Sequence, residues 1–344
     1  MHFPQLDIRK INNIQIVNFK MNRLIFLDIA KAVCIVLVVI GHYIPQDSPD
    51  WWKEINNIIY SFHMPLFLFA SGVAYMISQK RDYFGFIKKK VKRLMVPYFT
   101  VSVLIIGAKL LADSILTVDN PKQIDSLLRM FYYPEAGYFL WFIWVLFLSF
   151  LIVPFFKSSK SRLALLAVSF VLFLGNLELT EIFCIRQFCQ FFIFFILGAV
   201  AYDFKDKIKF LLNINALFYI LAFAGLYYFC SEAKSLAGRA EMFIINIAGI
   251  AMVISTSRFI EKINLGKGMF LTVSSASYII YLLHTTFEGF AKAVIAKTGL
   301  PLESDIIFAS AAIIVIACGV IIPILLYNYI IKRYKATRFL FGLS

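Results

Sequence analysis

Three histidines stand where an apolar sequence leaves little room for them: His42, His63 and His284. An imidazole takes up and returns a proton near neutral pH, so it serves as general base or nucleophile in group transfer. His42 closes the run Leu27-Asp28-Ile29-Ala30-Lys31 to Gly41-His42, which carries two more ionisable groups. On a helix, Asp28 and Lys31 share a face as i and i+3. Lys31 and His42 are eleven residues apart, nearly three whole turns, so they share that face ~16 Å apart along the axis. The face is thus a polar stripe, with a cation at depth and an imidazole near the outer end. Asp28 is farther still and cannot orient the ring as the acid of a catalytic triad.

His63 follows Ser61-Phe62 and precedes Met64-Pro65, with Ser71-Gly72 downstream; His284 ends Ser277-Tyr278-Ile279-Ile280-Tyr281-Leu282-Leu283-His284. If each lies on its own span, the three rings sit at one depth and suggest a shared cavity. Plainer readings stand beside this one. Asp28–Lys31 reads equally as a structural ion pair near the headgroups, His63 as an interhelical hydrogen-bond donor, and His284 as a packing partner of Glu288 at i+4. A three-histidine zinc site is conceivable, but no H-x-H or H-x-x-x-H pair anchors two ligands on one element, so no metal is expected. The five cysteines form no C-x-x-C pair and read as small core residues. A second cluster, Lys88-Lys89-Lys90-Val91-Lys92-Arg93 before Pro97-Tyr98, is either a basic loop set by topology or a docking surface for a polyphosphate. In the second case Lys90 and Arg93 fall one turn apart on a helix.

The elements that must position these groups are membrane helices. The chain is 61% hydrophobic and 16% charged, with a mean hydropathy of +0.80, too little charge for a soluble domain. Apolar runs near the length of a hydrocarbon core predict an all-α polytopic protein with spans at 24–44, 56–78, 96–112, 138–156, 163–177, 183–202, 210–230, 242–259, 270–287 and 306–331. A surface tail at 1–22, a transmembrane domain at 23–335 and a tail at 336–344 follow. The late first run lacks a small-residue cleavage site, so it is not a cleaved signal. With the N-terminus inside, Lys and Arg number 24 on inner segments and seven on outer ones. This alternation puts both termini in the cytoplasm and accounts for most of the +14 net charge without a nucleic-acid partner.

In this order the residues resemble a known family, the acyltransferase-3 integral membrane acyltransferases, and in particular their fucose-4-O-acetylase-like branch. Leu27-Asp28-Ile29-Ala30-Lys31 to Gly41-His42 resembles the family's basic-residue, ten-spacer, histidine signature. Phe62-His63-Met64-Pro65-Leu66-Phe67 with Ser71-Gly72 resembles its second-span motif. Lys90-x-x-Arg93 with Pro97-Tyr98 resembles the basic pair before the third span, and Ser277-Tyr278 with Tyr281-Leu282-Leu283-His284 its late Ser-Tyr-x-x-Tyr-x-x-His element. The resemblance implies about ten helices, an acyl-coenzyme A donor (usually acetyl) and an acceptor hydroxyl on a surface glycan or its lipid-linked precursor. It places His42 as the catalytic histidine and Lys31 as its basic partner.

Two departures stand out: lysine at position 90 where many relatives carry arginine, and no appended extracytoplasmic esterase-like domain. The expected enzyme binds no permanent cofactor. It would lie in the plasma membrane (the bacterial inner membrane), contact membrane lipid and form a homo-oligomer if it associates at all. Lys90 and Arg93 would hold the donor phosphates, and the arm would pass Lys31, with Asp28 as that lysine's support. His42 would act as base or become transiently acylated, while His63, Ser71, Tyr281 and His284 would supply oxyanion or acceptor contacts. Two rival readings compete: a flippase for lipid-linked sugars, which would show repeated halves and broken helices, and a non-catalytic scaffold of glycan assembly.

Overall fold

A computed structural model of the chain describes residues 24–46, 48–78, 82–113, 122–175, 179–229 and 236–343; the expected tail at 1–22 lies outside them. The described residues form helices and no strand, as backbone groups surrounded by lipid require. In chain order the helices are α1 (Ile25–His42), α2 (Asp50–Tyr60), α3 (His63–Ile77), α4 (Tyr83–Lys90), α5 (Val96–Asp113), α6 (Trp141–Ile152) and α7 (Ser159–Gly175). There follow α8 (Ile185–Asp203), α9 (Ala216–Phe229), α10 (Leu236–Ile263), α11 (Lys267–Lys297), α12 (Asp305–Leu326) and the short α13 (Lys335–Leu340).

Helices stand at all ten expected positions. Among the described residues, eight stretches are long and apolar enough to cross a membrane, which makes the chain a multi-pass membrane protein. The other two are shorter. The fifth expected span is α7, with 17 residues, or ~26 Å. The seventh is α9, with 14 residues, or ~21 Å, and it meets the preceding stretch Lys205–Asn213 at 89°.

Boundaries shift for physical reasons. The second span begins at Asp50 rather than 56 because α2 is amphipathic: it buries Trp52, Asn56 and Ile59 while Asp50, Lys53 and Glu54 stay exposed. A break at Ser61-Phe62 then leaves His63 at the first turn of α3. The third span starts earlier too, as α4 and α5 are joined by a wide π turn over Val91–Met95. Pro97 has no N–H to give to the Arg93 carbonyl, and Val96 bonds back to Val91 O instead. The ninth span runs on to Lys297, 31 residues in all, which carries its polar face well past His284.

Two glycines set the tightest helix contact. A methyl group at Gly72 of α3 would fall on the Phe195 carbonyl, and one at Gly198 of α8 on the Phe69 carbonyl, so only glycine allows these backbones to touch. α1 runs through the centre, packed on α3, α10 and α11. Trp52 ties the far end of α1 down by donating its indole N–H to Tyr43 O at 2.7 Å. At the opposite end a buried Arg162 grips Asp203 with two bonds of 2.6 and 2.8 Å, latching α7 to α8.

Candidate functional site

The three imidazoles converge. His42 closes α1, His63 opens α3, and His284 lies mid-way along α11, where it is fully buried. The rings of His42 and His284 meet edge to face with centroids 4.9 Å apart. Phe139, from the single turn Tyr138–Leu140 that leads into α6, completes that corner at 6.0 Å from His42 and 5.3 Å from His284. Tyr281 donates its hydroxyl to the Phe139 carbonyl, which fixes the turn against α11. Tyr60 packs its ring on His63 at 4.9 Å and donates to Gly41 O at 3.1 Å. Cys34 donates to His63 O at 3.1 Å and ties α1 to α3.

Hydrogen bonds choose the tautomers. His63 Nδ1 lies 2.8 Å from Ile59 O, and His284 Nδ1 lies 2.8 Å from Tyr281 O. A carbonyl only accepts, so each Nδ1 carries the proton and each Nε2 of a neutral ring is left as an acceptor. His284 Nε2 is buried without a partner among the described residues. One turn on, the buried Glu288 is in the same position: its Oε1 has none either. Glu288 packs against Gly319 of α12, where an added Cβ would stand 3.1 Å from Oε1. Lys292, another turn on, lies close enough to act electrostatically on both Glu288 and His42. Native interiors leave few polar atoms unpaired, and each one calls for an explanation. Two of them, one turn apart, lie beside the edge-to-face rings of His42 and His284.

The other expected residues lie elsewhere. Asp28 and Lys31 form their ion pair at 3.8 Å, and Ser274 of α11 donates to Asp28 at 3.3 Å. The face that joins Lys31 to His42 is not an open groove: Cys34, Ile35, Val38 and Val39 on it are all at most 1% exposed. Ser71 lies eight residues beyond His63, ~12 Å along α3, and so stands outside the imidazole layer. Lys90 and Arg93 do not pair on one face. Lys90 leans inward with Nζ 3.4 Å from the centre of the Phe150 ring, a cation–π contact, whereas Arg93 on the π turn is exposed. The wide turn alters the angular step that would have stacked them.

A family model described as an acyltransferase domain, that of the acyltransferase-3 family, matches residues 24–328. The chain belongs to this family. It is a membrane acyltransferase, and every residue of the imidazole layer lies within the matched range. No curated protein and no solved structure matches the chain.

Lys292, Tyr60 and Phe139 stand beside the imidazoles unforeseen by the sequence, which offered Glu288 only as a packing partner of His284. Glu288 and Lys292 carried a signal, since His284, Glu288 and Lys292 are spaced i, i+4 and i+8 and so line one face of a helix. The expected end of that span at 287 cut the series short. Tyr60 and Phe139 carried none, because a tyrosine beside a polar helix and a phenylalanine in a turn are common.

Proposed function

We propose that this acyltransferase moves an acetyl group from cytoplasmic acetyl-coenzyme A to a hydroxyl of a surface glycan or its lipid-linked precursor. The reading is supported by the likeness to the fucose-4-O-acetylase-like branch. The observation that carries it is the edge-to-face His42–His284 pair beside the unpartnered His284 Nε2 and Glu288 Oε1. His42 takes the proton of the acceptor hydroxyl as the oxygen attacks the thioester carbonyl. The carbon–sulfur bond breaks, the coenzyme leaves as thiolate, and the proton on His42 passes to it. His284 and Glu288 accept from neighbouring sugar hydroxyls and hold the attacking one in line.

The donor enters at the end of the bundle that carries Arg93; the concentration of basic residues there supports a cytoplasmic position. Arg93 is the exposed cation that meets its phosphates, and Lys90 shapes the wall beside it. Lys31, supported by Asp28, neutralises the donor further in. Since the α1 face above Lys31 is packed shut, helices around α1 must part to admit the arm, a gated step of the kind that often limits turnover. The plasma membrane is the compartment where a cytoplasmic thioester meets an exported glycan.

The test is mass spectrometry of the surface glycan from cells with and without the encoding gene. Loss of an acetyl mass increment on deletion, restored by the wild-type gene, is the expected result. An unchanged glycan with altered export would favour the flippase reading.

A further inference from the structure

We propose that a cleft beside the imidazole layer is the subsite that seats the acceptor glycan, and that it takes a neutral, hydroxyl-rich sugar; the proposal rests on the function proposed above. The cleft has a volume of about 360 Å³ and lies between Arg129, Tyr132, Tyr133 and Glu135 on one side and Thr180, Glu181 and Ile182 on the other. That size falls within the roughly 300–1,000 Å³ typical of ligand pockets. Its lining comes from the segment that leads into α6 and from the residues just before α8.

Its walls are fixed in advance. Phe183 N–H donates to Tyr132 O at 2.6 Å, clamping the two sides together. Phe183 and Cys184 are consecutive non-glycine residues with φ of 53° and 56°. Such left-handed non-glycine residues are strained and persist where the surroundings impose them, often at ligand sites. Below, the Tyr98 hydroxyl lies 2.7 Å from Met130 O and 3.0 Å from Tyr133 O, and the Phe183 ring tilts on Trp144 at 5.3 Å.

The lining matches a sugar. The electron-rich faces of Tyr132 and Tyr133 suit the weakly positive C–H face of a pyranose, and carboxylates and guanidinium offer acceptors and donors for its hydroxyls. Glu135 meets Lys122 at 3.1 Å, Glu181 meets Arg186 at 3.9 Å, and Arg129 meets Asp125 at 2.8 Å. The charges therefore pair off and favour a neutral ligand over a polyanion. Each carboxylate has about four lone-pair sites, so these pairs leave acceptors for hydroxyls. Continuity with the reactive centre comes through the chain itself. Phe139 comes four positions after Glu135, at most ~14 Å of backbone, and the Phe139 ring touches both His42 and His284. A glycan of several units held in the cleft thus has a short path along this segment toward His42.

The test compares wild type with Glu181→Gln, Tyr132→Ala and Tyr132→Trp, each as the full chain. Acetylation of the cells' own surface glycan is measured per molecule of protein, and coenzyme A affinity is measured on the purified protein. Tyr132 and Glu181 sit at an open rim, where substitution leaves the helices intact. The expected result is at least a tenfold loss of acetylation for Glu181→Gln and Tyr132→Ala, with coenzyme A affinity within twofold of wild type. Tyr132→Trp, which keeps an aromatic face, should retain most activity. Wild-type acetylation by the first two variants overturns the subsite alone, and so does loss of coenzyme A affinity together with acetylation, which would mark the loop as a folding element. A wild-type protein that binds coenzyme A but acetylates no glycan overturns the parent reading, and the subsite with it.

Discussion

Replacing Glu288 by leucine should separate stability from activity. The carboxyl group is 1% exposed and its Oε1 has no partner among the described residues. Removing a buried unsatisfied polar group recovers about 1–3 kcal/mol, and leucine keeps the packing against Gly319. If Glu288 holds the acceptor beside His42, the same change should lower acyl transfer by about 10²–10⁴, the range of positioned acid–base groups. Glu288→Gln keeps the shape and a hydrogen-bonding carbonyl, so it should gain little stability and lose less activity. Thermal unfolding in detergent reads the first quantity, and glycan acetylation per folded molecule reads the second. A leucine variant that is less stable than wild type yet transfers at the normal rate would make Glu288 a packing residue and refute the reasoning.

Arg93→Ala should weaken coenzyme A binding about tenfold, the ~1.4 kcal/mol of one exposed charge-assisted contact, and leave the rate of the bound complex nearly unchanged. Lys90→Ala should instead lower thermal stability, since it removes the cation from the Phe150 face; a larger loss of donor affinity than for Arg93→Ala would reverse these roles. Gly198→Ala, which drives a methyl group into the Phe69 carbonyl, should cost about 1–3 kcal/mol of stability; an unchanged unfolding temperature would contradict the close α3–α8 contact. In intact cells, in a background free of other reactive cysteines, an impermeant maleimide should label Asp50→Cys and not Lys88→Cys. The opposite pattern would invert the topology.

Much of the fold was legible because the bilayer imposes a length. Every helix long enough to span was marked by an apolar run near 20 residues, and α7 and α9 were the cases where the run marked a helix shorter than a span. The boundaries that moved did so where charge sits on one side of a helix. Asp50, Lys53 and Glu54 made α2 resemble a loop, and Glu288 and Lys292 made the second half of α11 resemble an exit from the membrane. The imidazole layer was legible in outline, since a histidine ending an unbroken apolar run needs a reason. The packed face between Lys31 and His42 was not, because periodicity places residues on a face without saying whether a neighbouring helix covers it. Nor was the divergence of Lys90 and Arg93, which depends on a proline acting four residues upstream through a missing N–H.

The central claim is that His42 performs the proton transfer or nucleophilic step. It is tested most directly by glycan acetylation in cells carrying His42→Ala, normalised to protein in the membrane. His42 is half-buried at a helix end, so its loss should leave insertion and expression intact in a bundle held by packing along every helix. The account predicts that acetylation falls to the level of cells without the gene, while coenzyme A still binds. Wild-type acetylation by the His42→Ala protein would contradict it.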